Sequence, residues 1–297
     1  MRFSVYQVSR RGARASNEDR MGYCYTRDSV LLGLADGMGG HPRGDVAAQL
    51  ALQTVVAMFQ REARPELEDA RAFLRRAVLS AHDQIQRYAQ AQGLRDFPRT
   101  TIVLCVLQRG VAQWAHVGDS RLYFVRGGAL LTRTRDHSHA EQRLLGGAAP
   151  QSPPVNRNVL YTCLGSPQPP FVEIGVPQSL RGGDLVLLCS DGLWSQVPED
   201  TLIELLSRHA LSDAVPEMVE LALRHKAAHS DNVTALAIEL EGEGHDEVST
   251  QGIQPGVFAS TFQSGIPDTA IDELDDASIE RSIAEINEAI RRSAAKK

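Results

Sequence analysis

The chain has 297 residues, enough for one large domain or a medium domain with an appendage, and its 42% hydrophobic and 23% charged residues are those of a soluble globular protein. A formal net charge of -6 argues against nucleic acid as the main partner, since phosphate backbones select basic faces. No stretch reaches the roughly 20 apolar residues that span a bilayer, and the opening MRFSVYQVSRRGAR lacks the apolar centre of a signal peptide; the expectation is a cytoplasmic protein with no membrane partner.

Alternating or continuous apolar runs predict strands at Arg2 to Val8, Met21 to Thr26 and Val30 to Leu34. Two long helical patterns follow. One runs from Asp45 to about Arg61 with Val46, Leu50, Val55 and Phe59 inward, the other from about Pro65 to Gln92 with Leu67, Phe73, Leu74, Val78, Ile85 and Tyr88 inward. Further strands are expected at Ile102 to Gln108, Ala112 to Val117, Arg121 to Val125, Val159 to Cys163, Leu185 to Cys189 and Val233 to Leu240. Helices at Glu199 to His209 and Asp213 to about Ala227 precede the last of these. This order lacks the regular βαβα alternation of a parallel sheet. It suits an α+β fold of two packed antiparallel sheets flanked by helices, a four-layer αββα sandwich over residues 1–241. Cys24, Cys105, Cys163 and Cys189 are widely spaced, without a C-x-x-C, and read as small buried hydrophobes kept reduced.

Two regions break the globular pattern. GGAAPQSPPVNRNVLYTCLGSPQPP, residues 146–170, is crowded with Pro, Gly and Ser around one short apolar run and reads as a long irregular excursion of the kind that forms lids. Past Leu240 a polar, Gly-rich stretch, residues 242–270, reads as a flexible link. It leads to residues 271–297, where Ile279, Ile283, Ile286 and Ile290 fall at helical spacing. That short amphipathic helix is expected to dock on this chain or on a partner rather than on a membrane, because its basic residues cluster only at the end.

Acids recur where strands end or begin. Asp36 closes VLLGLA, Asp191 follows DLVLLCS, Asp119 follows WAHVG, Asp231 precedes a strand in SDNVTALAIEL, and Glu18 and Asp19 precede MGYCYT. Each alone is an ordinary turn former. If the strands share one pair of sheets, however, the acids gather at one edge, where they repel and raise one another's pKa. A hard divalent cation removes that cost. Oxygen-only ligands favour Mg²⁺ or Mn²⁺ over Zn²⁺, and one carboxylate shared between two ions makes a two-metal site. Glycines beside Asp36 let backbone carbonyls and a substrate approach closely.

RASNED (14–19), LADGMGGHPRG (34–44), VGDSRLY (117–123), TRDHS (134–138), LLCSDGLW (187–194) and SDNVTALAIEL (230–240) stand in the order and rough spacing of the metal-dependent protein phosphatase family, type 2C. The chain resembles its bacterial members over about residues 1–240. The resemblance implies two Mn²⁺ or Mg²⁺ ions between two central sheets, and hydrolysis of phosphoserine and phosphothreonine by an activated water. It implies that Asp36 bridges both ions, that Gly37 offers its carbonyl to one, and that Asp191 and Asp231 complete the other's shell. Glu18 and Asp19 would hold the ions' waters, Arg14 would grip the phosphate, and Asp119 would serve a third ion near a flap at about residues 138–170. Met38 stands where animal members carry a histidine, which leaves the proton donor to the leaving group open; His41 is a candidate by proximity. Arg99 stands where relatives carry a small residue. Implied partners are phosphorylated proteins, substrates of a Ser/Thr kinase. Two alternatives remain: a catalytically silent phosphoprotein-binding module, or a phosphatase dedicated to one regulator such as an anti-anti-sigma protein.

Overall fold

The computed structural model describes residues 1–38, 43–145, 159–225, 229–241 and 258–262. Three strands, β1 (Phe3–Arg10), β2 (Asp19–Tyr25) and β3 (Ser29–Asp36), lead into helices α1 (Gly44–Glu62) and α2 (Ala70–Ala91). Four strands follow, β4 (Ile102–Gln108), β5 (Val111–Val117), β6 (Arg121–Arg126) and β7 (Ala129–Arg133), then helix α3 (His139–Leu145). Short β8 (Glu173–Ile174) and β9 (Gln178–Ser179) precede β10 (Leu185–Cys189), which runs into α4 (Asp191–Trp194). Helices α5 (Glu199–Arg208) and α6 (Leu211–His225), β11 (Val233–Leu240) and β12 (Ala259–Ser260) complete the described chain.

Two antiparallel sheets result, ordered β1-β11-β10-β6-β7 and β12-β2-β3-β4-β5-β8, with β9 also pairing β5. Successive side chains of a strand point to opposite faces, so a strand that is apolar throughout needs cover on both. β3 sends Val30, Leu32 and Leu34 into the core between the sheets and Leu31 and Ala35 toward α1 and α2. β4 divides in the same way, with Val103, Cys105 and Leu107 inward and Ile102, Leu104 and Val106 under the helices. In the other sheet, Leu122, Phe124, Val186, Leu188, Leu236 and Ile238 fill the central core. Their neighbours Tyr123, Val125, Leu187, Ala235 and Ala237 pack against α5 and α6. The layers are therefore helix, sheet, sheet, helix, as the sequence pattern requires. All four cysteines are free and buried, and among the described residues no helix is long and apolar enough to cross a membrane.

Three expectations are corrected. α2 starts at Ala70 rather than near Pro65, because the Asp69 carboxylate caps it by accepting from Ala72 N–H at 2.9 Å. The backbone just before is taken up by Gln108, whose side chain bonds Leu67 N–H and C=O at 3.0 and 2.9 Å. Val159 to Cys163 is not a strand: its backbone bonds go to His137 and His139, and the chain forms only single bridges, Ser138 with Leu160 and Thr100 with Leu164. Residues 258–262, inside the stretch read as a flexible link, pair with β2 as β12. The helix read at 271–297, the rest of the link, the proline-rich part of the flap at 146–158 and His41 lie outside the described residues.

Candidate active site

The acids read from strand ends converge. Asp36 closes β3 and Asp19 opens β2, and the two are register partners. Asp191 comes two residues after β10, as the first residue of α4, and Asp231 comes two residues before β11; since these strands are antiparallel neighbours, the two acids meet at one end of their sheet. Asp119 lies in the connection that crosses from β5 in one sheet to β6 in the other. Close approach at this end needs glycine. A Cβ at Gly37 would stand 2.5 Å from the Gly44 carbonyl oxygen and 2.9 Å from Glu18 Cβ, so the start of α1 could not sit against Glu18 otherwise.

The carboxyls feel one another. Burial, then the negative fields of Asp19, Asp191, Asp119 and Asp231, pushes Asp36 well above the usual carboxylate range. Burial followed by Asp119, Asp231 and Asp19 does the same to Asp191, with Arg14 working against it. Asp19 is raised to about 6 and Asp119 to about 7, burial being the leading cause in each. Glu18 is raised by burial and then by Asp45. Glu18 Oε2 and Asp19 Oδ1 are buried with no hydrogen-bond partner among the described residues. An all-oxygen donor set with buried, unpartnered oxygens and mutual repulsion fits hard divalent cations.

Arg14 lies at the mouth of this cluster, its guanidinium 2.6 Å from Asp231 Oδ2 and its side chain 54% exposed. Held this way, it is already aligned with one carboxylate of the set.

A ring of short polar residues fixes the acids, and none of these was singled out from sequence. The Ser190 hydroxyl donates to Asp19 Oδ2 at 2.8 Å and accepts from Thr234 N–H at 3.1 Å. Asn232 Oδ1 accepts from Glu18 N–H at 2.8 Å, while its amide donates to the Arg11 and Ser16 carbonyls at 2.8 and 2.9 Å. The Asp36 main chain is gripped by Thr101, which accepts from its N–H at 3.2 Å and donates to its carbonyl at 2.9 Å. Trp194 Nε1–H donates to the Asp119 carbonyl at 2.9 Å. Several of these residues stand inside the very motifs that carry the acids, SDG and SDN, and position within the motif was the signal available.

A second cluster sits near Asp119. One donor atom each from His116, His137 and Glu173 lie within 4.8 Å of one another, a spacing that could hold a metal ion. The ring hydrogen bonds favour another role. His116 Nε2 meets the Arg135 carbonyl at 2.8 Å, and Gly118 N–H donates to His137 Nδ1 at 3.2 Å, which puts the His137 proton on Nε2, facing Glu173 at 3.4 Å. His137 N–H also bonds the Gly118 carbonyl at 3.0 Å. The cluster thereby pins Gly118, the residue before Asp119, through both His137 bonds. Both histidines stand in the quoted motifs, in WAHVG and TRDHS, without having been marked.

Residues 7–228 match the protein family described as Protein phosphatase 2C. The chain belongs to that family of enzymes. Among protein phosphatase 2C relatives, the serine/threonine phosphatase stp of Listeria welshimeri is 30% identical over 240 residues, 79% of this chain and 94% of that one. The fold aligns with the crystal structure of the Mycobacterium tuberculosis phosphatase PstP at a TM-score of 0.68 and 30% identity, covering 81% of this chain and 99% of that chain. A structure of the PstP catalytic domain in complex with 2 manganese ions aligns with the same TM-score, 0.68.

Proposed function

We propose that this chain is a protein serine/threonine phosphatase that uses two Mn²⁺ or Mg²⁺ ions, with its catalytic unit in residues 1–241 and the flap at about 138–170 shaping access. One observation carries the reading: Asp36, half-buried at the end of β3, is the register partner of Asp19 and lies in the negative fields of Asp191, Asp119 and Asp231, all of which push its pKa upward. In it, Asp36, the Gly37 carbonyl, Asp191 and Asp231 would hold the two ions. Glu18 and Asp19 would hold the ions' waters, and Asp119 would serve a third, weaker ion. When bound, the ions neutralise the carboxylates, make water acidic enough to yield hydroxide near neutral pH, and polarise the phosphoryl group.

The chain's own groups do the rest. Arg14 offers a planar fork for two phosphate oxygens, and its exposure lets it turn from Asp231 toward a substrate. Ser190, Asn232 and Thr101 hold Asp19, Glu18 and Asp36 at fixed positions, so the site is organised before substrate arrives. Met38 carries no titratable proton, so the proton for the leaving alkoxide comes from water or from His41 in this scheme. The substrates are phosphorylated proteins of the same compartment, taken as the cytoplasm, where the enzyme opposes a Ser/Thr kinase. Retention of every carboxylate in the set disfavours a silent binding module.

The test is hydrolysis of a phosphothreonine peptide in Mn²⁺, Mg²⁺ or chelator, beside Asp36→Asn. Activity should require metal, and the substitution should lower it by about a hundredfold or more, since even outer supports of metal ligands cost 10–100-fold. A fully active Asp36→Asn enzyme would sink the two-metal assignment.

A further inference from the structure

Gly22 and Gly33 face each other across β2 and β3, three residues from the Asp19–Asp36 pair on the same two strands. Paired glycines leave that stretch of sheet without side chains, and glycine inside a strand often marks a place where something else comes close. Here it is Phe262. A Cβ on Gly22 would stand 2.7 Å from Phe262 Cδ1, and one on Gly33 would stand 3.0 Å from Leu52 Cδ2 and 3.4 Å from Phe262 Cζ. The ring fills the slot between β2 and α1, and Phe258 reaches the Phe59 ring of α1 at 6.3 Å between centroids.

Phe262 arrives on β12, which covers the outer edge of β2, with Ala259 opposite Tyr25 and Ser260 opposite Cys24. Thr261 N–H donates to the Tyr23 carbonyl at 2.9 Å, and Tyr23 N–H donates to Thr261 Oγ1 at 3.0 Å. An edge strand with a glycine at its middle is the kind of element that opens first. This one carries Asp19 as its first residue, and the first residue of α1, Gly44, abuts Glu18. The two elements that the aromatic pair joins are the two that bracket the Glu18–Asp19 corner.

We propose that residues 258–262 form an intrachain strap that positions β2 and α1 for cation binding, with Phe262 as its positioning residue. The inference rests on reading the acids as the cation site. It makes a segment some 30 residues beyond the family match, which ends at residue 228, part of the working enzyme.

The experiment uses the full chain, titrated with Mn²⁺ alone by calorimetry and assayed on a phosphothreonine peptide across Mn²⁺ concentrations. Phe262→Ala should raise the half-saturating Mn²⁺ concentration about tenfold, as loss of an outer support does, with kcat at saturating Mn²⁺ unchanged and wild-type behaviour kept by Phe262→Tyr. Thr261→Pro, which removes the bond to Tyr23 and leaves the ring in place, should shift Mn²⁺ dependence in the same direction. In Phe262→Ala, where Thr261 is unchanged, hydrogen exchange at Tyr23 reports whether the strap has been released. Unchanged Mn²⁺ affinity in a variant with a released strap overturns the proposal, as does a fall in kcat alone. No Mn²⁺ uptake by the wild-type chain overturns the cation-site reading and the strap's role with it. Wild-type uptake with unaffected variants overturns the strap alone.

Discussion

Arg14 is the positive charge that Asp231 faces in this structure, at 2.6 Å and in an exposed position. Carboxylate and phosphate present similar pairs of oxygens to a guanidinium, so the same fork serves either. In the proposed reaction, Arg14→Ala removes a charge-assisted hydrogen bond to substrate, worth about 1.5–3 kcal/mol, and KM for a phosphopeptide should rise about tenfold or more. An unchanged KM would take Arg14 out of the site. The acids themselves were readable in the sequence because each ends or begins an apolar run. Ser190, Thr234, Asn232 and Thr101 were not, since a short polar residue beside a strand looks the same whether it caps a turn or holds a carboxylate. The Arg14–Asp231 pairing spans 217 residues, and nothing local in the sequence encodes it.

At the scale of elements, strands were legible where both faces are covered. β3, β4 and β10 are apolar at nearly every position because helices lie on one side and the other sheet on the other. Val159 to Cys163 carried the same local signal, yet its backbone–backbone bonds go only to His137 and His139, and the next residue, Leu164, bonds Thr100 instead, so no ladder forms. β12 was illegible for the opposite reason. Its neighbourhood, FASTF, is too short and too isolated in a polar, Gly-rich stretch to show a strand period, and the hydrogen-bond partner of Thr261, Tyr23, lies 238 residues away. Helix starts depend on single caps, and α2 shows it: Asp69→Ala removes the bond to Ala72 N–H and should lower stability by about 1 kcal/mol, measured by urea unfolding with an unchanged m-value. No loss would mean that packing against α1 alone sets where the helix begins.

For the whole molecule, the convergence of the two sheets on one cluster of acids links stability to pH and metal. Asp19 and Asp119 hold their protons up to about 6 and about 7, while in an unfolded chain a carboxyl loses its proton near 3.9. Their protonated forms therefore favour the folded state at low pH, and that contribution fades as pH rises through 6 to 7. In chelator the melting temperature should be lower at pH 8 than at pH 5. Mn²⁺ at 100 times its dissociation constant should restore about 2.7 kcal/mol per site at pH 8, where the carboxylates are free to bind it. A melting temperature that rises with pH in chelator would mean that the acids do not repel as their arrangement implies.

The burial of all four cysteines has a practical consequence. Burial raises each thiol above its ordinary pKa, so in the folded protein none offers the thiolate that alkylating reagents attack. A cysteine introduced at an exposed position, such as Val176 at 73% exposure between β8 and β9, would be the one thiol that labels under native conditions. A fluorophore or spin label there could then report on the outer edge of the β5 sheet in the otherwise unaltered enzyme, with no native cysteine replaced. Slow labelling of the native thiols would count each global opening of the fold.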